Sequence, residues 1–240
     1  AIVVLSLASL MGMNTARAEN GVTADSIVLG QSAALSGPAA SLGNEMREGA
    51  NAYFQHINAQ GGVYGRKIQL ISLDDGYEPA RTVPNTQQLI EQDKVLALFG
   101  YVGTPTSYAA LPIVNAAKIP FFAPFTGAEG LRTPNNRLVF NIRASYFDET
   151  EQQVKWLVSK GKKRIAVFYQ DDAYGKAGLT GVEQAMARRN LKVAAQGTVQ
   201  RNTVDVAAAV GSITQIEPDA VILISAYKSC AAFIREALKV

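Results

Sequence analysis

One cysteine, Cys230, and one histidine, His56, are all this chain offers of the two side chains most used to ligate transition metals or to pair a nucleophile with a base. A lone cysteine cannot close an internal disulfide. With no histidine near it in sequence, Cys230 in the apolar run SCAAFIREAL reads as a small side chain on a buried helix face, not as a reactive thiol. His56 has no second histidine with which to share a metal and reads as a helix-surface residue. Metal sites and Cys/His or Ser/His catalysis therefore find little support. Charge is sparse as well: 18% of the residues are charged, and 23 basic against 20 acidic side chains leave a net +3. The one basic run, Lys162 to Arg164, stands at the entrance of an apolar strand, where it is solvated, so neither nucleic acid nor a membrane surface is an expected partner. Beyond the first eighteen residues nothing approaches the roughly 20 apolar residues of a spanning helix.

What is present begins with those eighteen residues. An apolar stretch from Ala1 to Met13, a polar break at Asn14 and Thr15, and Ala16-Arg17-Ala18 in the small-x-small pattern predict a signal peptide cut after Ala18. No cysteine follows the cut to take a lipid, so export to a soluble compartment is expected. With neither an initiator Met nor a basic leader, the chain reads as clipped at its start. The remainder, in a chain that is 48% hydrophobic, can bury a sizeable core. Its segments alternate: SIVLGQSAAL, KIQLISLDD, KVLALFG and IPFFAPF read as strands. The intervening helices are one with Leu42, Met46, Tyr53 and Ile57 on a face, one over ARTVPNTQQLIEQD with Pro84 in its first turn or distorting it, and one from about Thr106 to Ala117. A second block repeats the scheme with about four strands: RLVFNIRA, RIAVFYQDD, KVAAQGTV and AVILISA. Continuous apolar strands between helices predict an α/β fold of parallel sheets. The polar, Pro-containing joint between Arg132 and Arg143 divides it into a first lobe, 19–143, and a second lobe, 144–240, that reads as incomplete.

Ligands of open parallel sheets sit beyond the carboxyl ends of the strands. That rule selects the stretch FGYVGTPTSYAALP, where a strand runs through Tyr101 and Gly103 into a helix opening with Thr104. It has neither the Lys of a mononucleotide loop nor the three glycines of a dinucleotide loop. Thr104 and helix-end N–H groups can grip a carboxylate without a formal cation, and FTGAEG offers the same kit at Thr126 and Gly127. Plain helix capping by the same threonines is the competing reading. Phe121 and Phe122 read first as core, Phe125 as a cleft neighbour, and Tyr174 and Tyr227, each just past a second-block strand, as rings able to cover a ligand. The acidic pairs Asp74-Asp75 and Asp171-Asp172 point to opposite sides of extended backbone and read as turn chemistry, not as converging catalytic acids.

From about Ser26 to Val240 the chain resembles the branched-chain amino-acid-binding type of periplasmic receptor that serves ABC transporters, through GQSAALSGPAASLG, INAQGGVYGRKIQLISLDDGYEP, GYVGTPTS, PFFAPFTGAEGL, RIAVFYQDDAYGKAGL and AVILISAYKSCAAFIREA. The resemblance implies a two-lobed type I clamp with no cofactor and no enzymatic activity, a monomer in the periplasm that delivers a small, carboxylate-bearing solute to a membrane permease. It implies that Thr104 grips the ligand carboxylate, helped by the loop of Phe125, Thr126 and Gly127, and that Tyr174 and Tyr227 close over it. Leu42 stands where leucine binders carry an aromatic residue, and Phe125 where they carry a small one. An amino acid, an amide and an aromatic acid all remain open as ligands, and a ligand-sensing domain of the same fold is the alternative role.

Overall fold

The computed structural model describes residues 19–239, so the expected signal peptide lies outside the described residues. Two all-parallel sheets organise them. The first has the order β2-β1-β3-β4-β5, from β1 (Ser26–Ala33), β2 (Lys67–Asp74), β3 (Ala97–Phe99), β4 (Phe121–Phe122) and β5 (Val139–Phe140). The second, β7-β6-β8, is built from β6 (Ile165–Gln170), β7 (Gln196–Val199) and β8 (Ala220–Ile224). RLVFNIRA therefore completes the first sheet and does not open the second, which holds three strands: Phe121 and Phe122 pair with Val139 and Phe140 before the chain leaves.

Parallel neighbours need a crossover, and here helices supply it. In the first lobe α1 (Ala40–Ala59) covers one face of the sheet, while α2 (Pro79–Glu91) and α3 (Thr104–Ala117) cover the other, where Leu89, Leu98, Tyr101, Ala110, Val114 and Phe121 form the core. Phe54, not Tyr53, faces the sheet from α1, its ring 5.4 Å from Phe99. The row 42, 46, 50, 54 is a strict i+4 ladder, and Tyr53 lies about 100° off it, 64% exposed. Pro84 lies beyond the first turn of α2, whose N-terminus is already occupied by Pro79. Of the two strand phenylalanines, Phe121 packs edge-on to Tyr101 in the core and Phe122, on the opposite face, stacks on Phe99 and stays half-exposed.

In the second lobe, Ile165 and Val167 point to α4 (Tyr146–Ser159) and α5 (Ala173–Ala187), and Ala166 and Phe168 to α6 (Ala207–Thr214) and α7 (Tyr227–Ala237). Period two thus sorts one strand between two cores. Asn141–Ser145 cross from the first sheet to α4, which packs on α5. Ser145 starts α4 with a capping box: its hydroxyl accepts the Asp148 N–H at 3.0 Å while the Asp148 carboxylate faces the Ser145 N–H. Lys162, Lys163 and Arg164 are exposed, with Asp219 accepting the last two backbone N–H groups. Among the described residues no helix is long and apolar enough to cross a membrane, and no cluster of His, Cys, Asp and Glu could hold a metal.

Candidate functional site

Chain order creates a crevice in each lobe. From β1 the chain moves one way to β2, then returns past β1 to β3, so the helices after β1 and β3 leave on opposite faces. The second sheet repeats the manoeuvre around β6, with β7 on one side and β8 on the other. Loops at such reversal points stand apart at the carboxyl edge, leaving room for a ligand. In this molecule the two crevices share one cavity of about 350 Å³, within the usual size of small-molecule sites.

Five residues singled out from sequence line it. Leu42 comes from the first turn of α1, after β1, Gly103 and Phe125 from the turns after β3 and β4, and Tyr174 and Tyr227 from the first turns of α5 and α7, after β6 and β8. Gly103 has φ +103, and a Cβ there would overlap the Tyr77 ring, so the backbone must be bare for that ring to lie against it. Thr104, Thr126 and Gly127 form a second layer outside the lining. The Thr104 and Thr126 hydroxyls lie 2.6 Å apart, fully buried, and Thr126 Oγ1 also accepts the Ala128 N–H and meets the Tyr146 hydroxyl at 3.3 Å. Both hydroxyls are thus engaged with protein partners behind the lining, and neither residue lines the cavity. Gly127 accepts the Tyr146 N–H at 2.7 Å and leaves space for that ring. Tyr101 turns into the core, its hydroxyl 3.0 Å from Thr86.

Among the lining residues that were not singled out are Tyr77, Arg143, Tyr146, Glu149 and Gln153. Tyr77 sits in the turn after β2 at φ +66, only 4% exposed. Burial, reinforced by the Asp172 charge, pushes its phenol well up, so it stays a neutral hydroxyl. Tyr146 occupies the first position of α4, its ring 5.4 Å from that of Tyr174. The signal for it was the Ser-x-x-Asp pattern of 145–148, which places the following aromatic at a helix start facing the crossing. Cys230 is half-buried, with its thiol donating to the Ser225 carbonyl at 3.3 Å and burial raising its pKa.

The lobes also touch directly along one rim. Arg201, after β7, reaches Glu78 of the first lobe at 2.8 Å and Asp172 of its own lobe at 3.2 Å. Asn202 donates to the Gly76 carbonyl at 3.0 Å and to Glu78 at 2.6 Å. Tyr227 meets Ser41 at 3.1 Å, and Gln170 donates to the Tyr77 hydroxyl at 3.4 Å. Burial works to raise the Glu78 pKa, but the bonds from Arg201 and Asn202 outweigh it and hold the carboxyl below its ordinary value. Lowered in this way, the carboxylate supports the contact at neutral pH and gives it up only as pH falls beneath the ordinary carboxylate range.

Residues 26–240 match the model of a family described as periplasmic binding protein. The chain belongs to that family. A possible leucine/isoleucine/valine-binding protein from Rhodopirellula baltica is 41% identical and superposes with a TM-score of 0.86, over 93% of this chain and 61% of the other. A substrate-binding periplasmic protein from Ralstonia solanacearum is 34% identical with a TM-score of 0.85, over 89% and 60%. Leu/Ile/Val-binding protein homolog 7 from Brucella suis is 26% identical over 98% of this chain and 60% of its own. This periplasmic binding protein thus spans about 60% of the length of these relatives.

Proposed function

We propose that this protein is a non-catalytic receptor that encloses one small solute with an apolar body between its lobes and, as a monomer in the periplasm, presents it to the permease of an ABC transporter. The observation that carries this reading is the shared cavity: residues at the strand ends of both sheets line it together with α4, and both lobes contribute. Tyr174 and Tyr227 on one side and Leu42, Val102 and Phe125 on the other give it a largely apolar lining, in which Arg143, Glu149, Gln153 and a few hydroxyls are the polar groups, an arrangement suited to holding a small molecule. The family to which the chain belongs and the names of its relatives support the same reading. Binding from both lobes favours the closed arrangement, which a permease can distinguish from the open one.

A thermal-shift screen of the protein against amino acids, amides and aromatic acids tests it, because a solute that binds only the folded form raises the melting temperature. One chemical class is expected to do so, with small-angle scattering showing compaction. Chemical conversion of the stabilising solute, or stabilisation without any change in lobe separation, counts against the receptor.

The rim contacts give a second expected result. Loss of Arg201 leaves Glu78 and Asp172 without their shared cation, so the closed form is less populated and apparent affinity falls by the same factor. Arg201→Ala is expected to raise the Kd of the solute found in the screen on the order of tenfold. Calorimetric titration measures this, and an unchanged Kd with wild-type compactness removes Arg201 from closure.

A further inference from the structure

Positive charge gathers at the edge of the second sheet opposite the cavity. Lys162, Lys163 and Arg164, read in sequence as a solvated strand entrance, are joined there by three more cations. Both α4 and α5 run from the cavity edge to this far edge, α4 closing with Lys155, Trp156 and Lys160, and α5 leading to Lys192. The Ala194 N–H donates to the Ile165 carbonyl at 2.8 Å, which sets Lys192 beside the run. All six are exposed, and among the described residues none is ion-paired. Arg188 and Arg189, close by, are committed to Glu151. The turn into β8 brings two carboxylates, Glu217 and Asp219, but Asp219 faces backbone, accepting the N–H groups of Lys163 at 2.9 Å and Arg164 at 2.7 Å. With the six set aside the chain's net +3 becomes −3, so the excess belongs to this pole and not to the molecule at large.

Strand entrances need charge for solvation, but not charge of one sign. The first sheet shows as much: Asp25 precedes β1, Lys67 opens β2, Asp93 and Lys94 precede β3, and Lys118 precedes β4. The second-sheet pole differs in one more respect. Trp156, the chain's single tryptophan, stands 61% exposed next to Lys155 and one helical turn from Lys160. An apolar ring with one N–H donor, set among unpaired ammonium groups, fits the boundary between phosphate headgroups and acyl chains, where indole rings settle. Five lysines on flexible stems match a mobile layer of phosphates better than one fixed anion, for which a rigid guanidinium fork is the usual choice. We infer that this pole rests on a bilayer containing anionic phospholipid, the six cations supplying the attraction and Trp156 entering the interface. None of these residues lines the cavity, so the molecule is held at a membrane with its solute site free.

Trp156 is also the reporter, since its emission reads this pole and not the apolar stretch from Ala1 to Met13. The protein is titrated with phosphatidylcholine vesicles, with and without phosphatidylglycerol as about a quarter of the lipid. Anionic vesicles are expected to shift the emission to the blue and to bind at least about tenfold more tightly than neutral ones. About 0.5 M salt is expected to abolish the difference, because screening then acts within a few ångströms. Lys160→Gln combined with Lys162→Gln is expected to weaken binding to the anionic vesicles on the order of twentyfold. Lys94→Gln combined with Lys118→Gln removes the same charge from the first lobe and is expected to change it less than about twofold. Equal affinity for both vesicles, or binding without a blue shift, overturns the assignment in the wild-type protein, where no variant has to fold. Equal losses in the two double variants also overturn it, by reducing the effect to net charge. Polyglutamate is the last probe: binding as tight as that of the anionic vesicles would give the pole to an acidic polymer and overturn the bilayer.

Discussion

Gly175→Ala lowers the melting temperature by roughly 6–12 °C, corresponding to about 3 kcal/mol. The cause is a backbone contact. Gly175 lies in the first turn of α5, and a methyl group there would overlap the carbonyl oxygen of Gln170, the last residue of β6. Neither atom is the end of a flexible side chain, so helix and strand must separate. The helix preference of Ala over Gly, about 1 kcal/mol, does not offset that. The first lobe contains the same device: Gly43, in the first turn of α1, would meet the carbonyl of Ala34 just past β1. In each lobe the residue before the glycine, Leu42 or Tyr174, lines the cavity. Gly175→Ala is therefore expected to weaken solute binding as well, through displacement of Tyr174. Gly49→Ala, on the exposed side of α1 with nothing within 4 Å of the new carbon, gives the opposite sign, a gain of about 0.5–1 kcal/mol. Thermal denaturation of both variants decides the matter, since equal shifts would mean that the carbonyl contact is not the cause.

Asp75→Ala costs a comparable amount, on the order of 3 kcal/mol. The carboxylate of Asp75 is fully buried and accepts from the Ser32 hydroxyl at 2.7 Å, the Tyr77 N–H at 2.8 Å and the Thr82 hydroxyl at 3.1 Å. Thr82 has the Glu78 carbonyl as an alternative, but the Ser32 hydroxyl and the Tyr77 N–H are left without an acceptor. Asp75→Asn keeps one oxygen and is the milder change. Its neighbour Asp74 faces the other way, accepting from Leu35, Ser36, Gly76 and Arg81. The two titrate in opposite senses. Burial would raise Asp74, yet those donors hold it below its ordinary value, so the stability it contributes is present above that value and lost as pH falls through the depressed one. Asp75 is raised, chiefly by burial against the pull of its donors, so the folded state holds its proton the more tightly and stability falls as pH climbs from the ordinary value to the raised one. Denaturant titrations across that window are expected to show a decline with pH in the wild-type protein that Asp75→Asn lacks. A wild-type profile without that decline would place the Asp75 pKa at or below its ordinary value.

Most of this architecture was legible as alternation. Apolar runs such as IAVFYQ between helical stretches demand parallel strands buried on both faces, because no other arrangement covers them. One strand went to the wrong sheet: RLVFNIRA was read as extended, but its two paired residues, Val139 and Phe140, carry no periodicity, and only their pairing partner reveals which sheet they join. Within the site, the rule that ligands lie beyond strand ends found Leu42, Gly103, Phe125, Tyr174 and Tyr227, since it depends on chain order alone. It could not tell which way a hydroxyl turns. Thr104 and Thr126 come from turns 22 residues apart and use each other as partners, a fact set by tertiary contact. Arg143 was hidden for a related reason. In sequence it ends a polar joint, and only the folded chain brings Phe125 and Tyr146 against it.

The facing reversal points have a bearing on how such a molecule diversifies. The cavity is lined largely by side chains near the ends of the strands, whereas Leu98 and Phe121 pack inside the first lobe and Phe168 and Ile222 inside the second. Exchanging a handful of lining residues can therefore reshape the cavity while the two cores and the rim contacts are left as they are, so that a new pocket need not await a new scaffold.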